Sequence, residues 1–239
     1  MRYMIPAIAL VILIAWWVLF CHTRKSVSVD DGGRMAQLWE LLFADQSLSD
    51  LLSDKPAGIW PEFREALEAS QQGRNEEAVS ALQRALAVPN AETRAALVAW
   101  NALRGLGVSP SSAEADVVRG VVYEIPIQMD AVVLAVYQDG RARLYSRRGK
   151  TFVWEITGVT DMTECLSRVV AEGQALFSVA KPGRKRTPIP RGFHRATLLT
   201  FGGSRTFEHK ASDRASINLR VNEVIEAFTA KERESRQGT

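Results

Sequence analysis

The hydrophobic pattern of the chain changes twice. It begins as a continuous apolar run from Ile5 to Phe20, with no charged side chain between Arg2 and Arg24. From residue 33 to 108 it takes a helical period. Met35, Leu38, Trp39, Leu42 and Phe43 form one stripe, and Leu48, Leu51 and Leu52 a second, short one. After a turn at Lys55-Pro56-Ala57-Gly58, Pro61 opens a helix that buries Phe63, Ala66, Leu67 and Ala69 and ends at Gly73. The next helix starts near Asn75, turns Ala78, Val79, Leu82, Ala85 and Leu86 inward, and stops at Pro89. A third carries Ala96, Leu97, Trp100 and Leu103.

From Val117 the period becomes two. Val117–Ile127, Val132–Tyr137, Arg141–Ser146 and Thr151–Ile156 read as a meander, with Asp139-Gly140 as a hairpin turn. Thr160 caps a helix that buries Met162, Cys165, Leu166, Val169 and Val170 and ends at Gly173. Ala175–Ala180 reads as a short extra strand. Arg195–Phe201 and Arg205–His209 pair around Gly202-Gly203-Ser204, and Ile217, Val221, Val224, Ile225 and Phe228 mark a last helix.

This pattern predicts an N-terminal transmembrane helix, then an all-α helical hairpin region, then an α+β domain with an antiparallel sheet and helices on one face. The expected boundaries are 1–23 for the anchor, 24–32 for a linker, 33–110 for the helical region, 115–232 for the α+β domain and 233–239 for a disordered tail. Charge changes sign near the same boundary. Residues 22–114 hold 9 basic and 13 acidic side chains, residues 115–239 hold 20 and 14.

As a helix, Tyr3–Thr23 would span about 31 Å, close to the hydrocarbon thickness of a bilayer. Bulky Trp16, Trp17, Leu19 and Phe20 stand where a cleaved signal has small residues. Phe20 before Cys21 also departs from a lipid-attachment site. The expectation is a retained single-pass anchor. Arg24, Lys25 and Arg34 outnumber Arg2 and the α-amino group by one. The positive-inside rule then places the soluble part in the cytoplasm, at a bacterial inner (plasma) membrane.

Ala66, Gly73, Ala78, Leu82, Ala85 and Pro89 together resemble a tetratricopeptide repeat over about residues 61–106. The first helix departs from that pattern by lacking its large aromatic and tyrosine, and one repeat is short of the about three that a stable array needs. The resemblance implies a role in protein–protein interaction. Val117–Phe207 resembles uncharacterised bacterial membrane-anchored proteins. The likeness lies in a valine-rich first strand, the Asp139-Gly140 hairpin, Val153-Trp154-Glu155, and a Leu-Leu-Thr-x-Gly-Gly hairpin at 198–203. Its element order is similar to profilin-like and roadblock-like folds, which implies an interaction platform.

Chemistry is sparse. The phosphate loop, the nucleophile elbow, the His-Glu-x-x-His helix and Cys-x-x-Cys are all missing from the sequence. Neither cofactor nor metal is expected. Cys165 with His194 or His209 is the candidate nucleophile pairing, although Cys165 sits on an apolar stripe. Glu124 with Glu155 is a candidate carboxylate pair. Lys181, Arg184, Lys185, Arg186 and Arg191 form a basic loop suited to anionic lipid headgroups. It has no interleaved aromatics for stacking nucleic-acid bases. The expected function is a membrane-tethered adaptor or scaffold that binds a protein partner. The alternatives are a membrane-anchored hydrolase, or anionic-lipid binding through loop 181–191.

Overall fold

The computed structural model describes residues 41–49, 60–127, 130–146, 150–154, 160–184, 187–213 and 215–237. Its elements follow the two periods. Helices α1 (Trp60–Gln71), α2 (Asn75–Leu86), α3 (Thr93–Gly105) and the single turn α4 (Ser112–Ala115) come first. Strands β1 (Val118–Ile127), β2 (Asp130–Tyr137), β3 (Ala142–Ser146) and β4 (Lys150–Trp154) form the meander. Helix α5 (Thr160–Leu176) leads to β5 (Lys181–Pro182), β6 (Phe193–Thr200), β7 (Gly203–Lys210) and α6 (Ser216–Gln237).

All seven strands join one sheet in the order β4-β3-β2-β1-β6-β7-β5, antiparallel throughout. Helix α5 carries the chain from the β4 edge back across the sheet, so that β6 pairs with β1. Residues alternate between two faces. Val121, Leu134, Ala196 and Leu198 are buried on the face that α5 covers. A Cβ on Gly173 would lie 2.6 Å from Val121 Cγ2 and 3.3 Å from Leu198 Cδ2. Gly173 therefore does not cap the helix. It lets α5 settle against β1 and β6, and the helix continues to Leu176. Helix α6 packs beside α5, with Phe228 edge-on to Trp154 at 6.2 Å.

The other face is covered too. The Tyr137 hydroxyl donates to the Leu42 carbonyl at 2.7 Å, and Arg143 lies 3.9 Å from Glu92 at the start of α3. The Thr93 amide donates to Asp139 at 2.8 Å, and Trp100 stacks on Phe201 at 5.6 Å. Leu42, Phe43 and Ala44 are buried.

Three expectations about the fold are thereby corrected. Helical segments cover both faces of the sheet, because Val122, Val133 and Ala135 make the second face apolar as well. The helices before β1 are not an all-helical region apart from the sheet, since Gln37–Thr239 forms one compact unit. Backbone and side-chain groups at and within α3 reach across to Asp139, Arg143 and Phe201. Among the described residues, no helix is long and apolar enough to cross a membrane. The expected anchor, the linker and the stripe at 35–39 lie outside the described residues, as do Leu51 and Leu52.

Smaller differences have local causes. Ala175–Ala180 finishes α5 and turns rather than adding a strand, and β5 follows it. The final helix runs on to Gln237, through the first part of the expected tail. Helices α1 and α2 pack through Ala66, Ala69, Ala78, Ala81 and Ala85, all buried, across a turn where Gly73 has φ +73°. A side chain with a Cβ is disfavoured there.

Candidate functional site across strands β1, β6 and β7

Three neighbouring strands each carry two consecutive polar residues at the same level of the sheet. They are Tyr123 and Glu124 on β1, His194 and Arg195 on β6, and Glu208 and His209 on β7. The register aligns them, since Glu124 pairs with Arg195, Arg195 with Glu208, and His194 with His209. Strand alternation then sends one residue of each pair to each face.

On the α6 side, the Tyr123 hydroxyl lies 3.0 Å from His194 Nδ1 and 2.9 Å from His209 Nε2. It also hydrogen-bonds the side-chain oxygen of Asn218, in the first turn of α6. His194 Nδ1 lies 3.2 Å from that same oxygen. Contacts behind the cluster fix two of the donor and acceptor roles. Asn218 Nδ2 donates to the Asp213 carbonyl at 3.0 Å, which turns Oδ1 inward. His209 Nδ1 lies 3.0 Å from the Lys210 carbonyl, which can only accept. In the neutral ring Nε2 is then the acceptor facing Tyr123. Phe207 stacks on the His209 ring at 5.5 Å. Burial raises the Tyr123 pKa above its ordinary value. Burial lowers that of His194, against the hydrogen bond to Asn218, and the His209 ring adds to the lowering.

On the opposite face, Arg195 is only 2% exposed and sits between two carboxylates. Its Nη2 is 2.7 Å and its Nε 2.9 Å from Glu208 Oε1, and its Nη1 is 3.8 Å from Glu124 Oε2. Burial pushes the Glu124 carboxyl up to about 7, against the attraction of Arg195 and Arg184 and with added repulsion from Glu208. Glu124 Oε2 makes no hydrogen bond among the described residues.

The expected site residues fall in different places. Lys181 is exposed on β5, and Arg191 is exposed. Arg184 is drawn into the fold, with its guanidinium 3.5 Å from the centre of the Phe43 ring and paired with Asp45. Lys185 and Arg186 lie outside the described residues, as does Glu155. Cys165, on α5, has Arg168 Nη2 at 3.4 Å and no contact with either histidine among the described residues. The histidines do come together, but with Tyr123 and Asn218. Neither of those was expected, because Tyr123 meets the histidines only through the register of three strands and Asn218 only through where α6 begins beside them. Among the described residues, no group of three or more His, Cys, Asp or Glu side chains is placed to hold a metal ion. Comparison with family models, curated proteins and solved structures finds no match.

Proposed function

We propose that the chain is an adaptor that binds a protein partner through the outer surface of α1 and α2, with the layered sheet as rigid support. The observation that carries this reading is the division of the two helices. Their shared interface is buried alanine, while Arg64, Glu65, Glu68, Arg74, Glu76, Glu77 and Arg84 are all exposed. Residues 60–86 hold five acidic and three basic side chains. Arg74 pairs with Glu77 and Arg84 with Glu65, which leaves exposed Glu68 and Glu76 against the single cation Arg64, so the surface is net acidic. A partner with a basic patch suits it, and complementary charge speeds encounter and selects the partner.

A hydrolase built on Cys165 draws less support, since no base adjoins the thiol in the described residues. Lipid binding by loop 181–191 is weakened by the engagement of Arg184.

The test places photo-crosslinking residues at Glu65, Glu68 and Glu76 of the full chain in cells, with Leu219 and Glu226 on α6 as controls. One discrete adduct from the first three positions, absent from the controls and lost in Glu68→Lys/Glu76→Lys, is the expected result. Adducts that are the same from both sets, or none from either, overturn the reading.

A further inference from the structure

We propose that Tyr123, His194, His209 and Asn218 form a binding site for a late first-row divalent metal ion, copper(II) foremost. Tyr123 Oη, His194 Nδ1, His209 Nε2 and Asn218 Oδ1 converge at the mouth between β6, β7 and the start of α6. Two of these atoms are turned inward as acceptors by bonds behind them, from Asn218 Nδ2 to the Asp213 carbonyl and from His209 Nδ1 to the Lys210 carbonyl. A backbone carbonyl behind a ligating imidazole, fixing its tautomer, is the arrangement that metal sites use.

The spacing also fits. Ligand atoms at about 2.0–2.1 Å from one ion lie about 2.9 Å apart at right angles and about 3.4 Å apart at the tetrahedral angle. Tyr123 Oη lies 2.9 Å from His209 Nε2 and 3.0 Å from His194 Nδ1, near the right-angled value, while His194 Nδ1 lies 3.2 Å from Asn218 Oδ1, nearer the tetrahedral one. Tyr123 Oη also hydrogen-bonds Asn218 Oδ1, and those two oxygens must part to share an ion. Two imidazole nitrogens with two oxygens suit the late first-row metals, among which copper(II) binds such ligands most tightly. They disfavour magnesium and calcium, which take oxygen ligands. Access is available, because His194 and Asn218 are half-buried while Tyr123 and His209 form the floor.

Protons balance simply. The Tyr123 O–H bond breaks, an oxygen–metal bond forms, and the proton leaves to buffer. Without metal the His194 proton lies on Nδ1, which donates to Asn218 Oδ1; on metal binding it moves to Nε2 through solvent, and Nδ1 ligates.

The experiment uses the purified, metal-free full chain, titrated with copper(II) and, separately, zinc, by calorimetry and visible absorption. Expected are one copper per chain and weaker zinc binding. A phenolate-to-copper charge-transfer band and release of about one proton per ion should accompany the copper. Tyr123→Phe keeps the ring and the fold, yet should abolish the band and weaken copper binding at least about tenfold. His194→Ala, checked by circular dichroism, should weaken it similarly. Copper bound equally well by the wild type and by Tyr123→Phe, or bound without the band, overturns the site.

Discussion

Replacing Glu124 by glutamine should stabilise the protein at pH 8 and leave it nearly unchanged at pH 5. Burial lifts this carboxyl from 4.5 to about 7 in the folded chain. A raised carboxyl pKa means that the folded state holds its proton more tightly than the unfolded state does. Its favourable contribution is present in full below about pH 4.5 and is lost as pH rises through about 7. That gap, at about 1.36 kcal/mol per pH unit, amounts to about 3 kcal/mol between the two limits. Glutamine has nearly the same shape and carries no charge to desolvate. Arg195 keeps its contacts with Glu208 at 2.7 and 2.9 Å, so the substitution does not strand a buried cation. The assay is urea unfolding of wild type and Glu124→Gln at pH 5, 6, 7 and 8, with the difference in free energy plotted against pH. The difference should climb with pH and level off above about 7. A flat or falling difference would refute the assignment of a desolvated carboxylate at this position.

Other positions give sharper tests of packing. Gly173→Ala pits a gain of up to about 1 kcal/mol in helix propensity against about 1–3 kcal/mol of overpacking on Val121. It should lower Tm by a few degrees, and Val121→Ala should recover part of the loss. Tyr137→Phe leaves the buried Leu42 carbonyl without that donor. It should cost about 1–3 kcal/mol and speed protease cleavage within 41–49, read by mass spectrometry. Arg195→Ala leaves Glu124 and Glu208 facing each other in a buried place. A loss of about 3–5 kcal/mol at pH 8, partly relieved at pH 5, is expected from denaturant unfolding at the two pH values.

Much of the element order was legible because each period has a single geometric meaning. Alternation, valine-rich in β1 and β2, marked β1 to β3 within a residue or two, and the spacing of alanines marked α1 and α2. What the periods do not encode is which element covers which face. Leu42 and Phe43 look like part of a helical stripe, yet they are buried against a sheet that begins some seventy-five residues later. The candidate site was lost to a small error of register. A turn centred on Gly203 puts His194 opposite a residue beyond His209. The observed two-residue turn, Phe201-Gly202, puts Thr200 opposite Gly203 and hence His194 opposite His209. Because side chains alternate, a slip of that size changes both partner and face. Gly202 offers the reason for the tighter turn. Its amide donates to the Ala115 carbonyl at 3.0 Å, and a Cβ there would lie 2.7 Å from that oxygen.

The six polar residues that lie level across β1, β6 and β7 set a constraint that stability alone does not explain. Tyr123, Glu124, Arg195 and His209 are buried, and a sheet covered on both faces could hold apolar side chains at each of these positions. Replacing buried ion pairs by well-packed hydrophobic residues is often neutral or stabilising. Glu124 contributes its charge at a penalty near neutral pH, and it is there together with Arg195 and Glu208 on the reverse of the histidine cluster. Each strand thus supplies one residue to an ionic face and its neighbour to a face of neutral lone pairs. The ionic face holds the three strands in one register, because a slip by a single residue would separate Arg195 from both carboxylates. That same register brings His194 and His209 together beside Tyr123. The charged network therefore acts as a positioning device for the uncharged cluster behind it, and its thermodynamic cost is that of holding four donor atoms within hydrogen-bonding distance of one another.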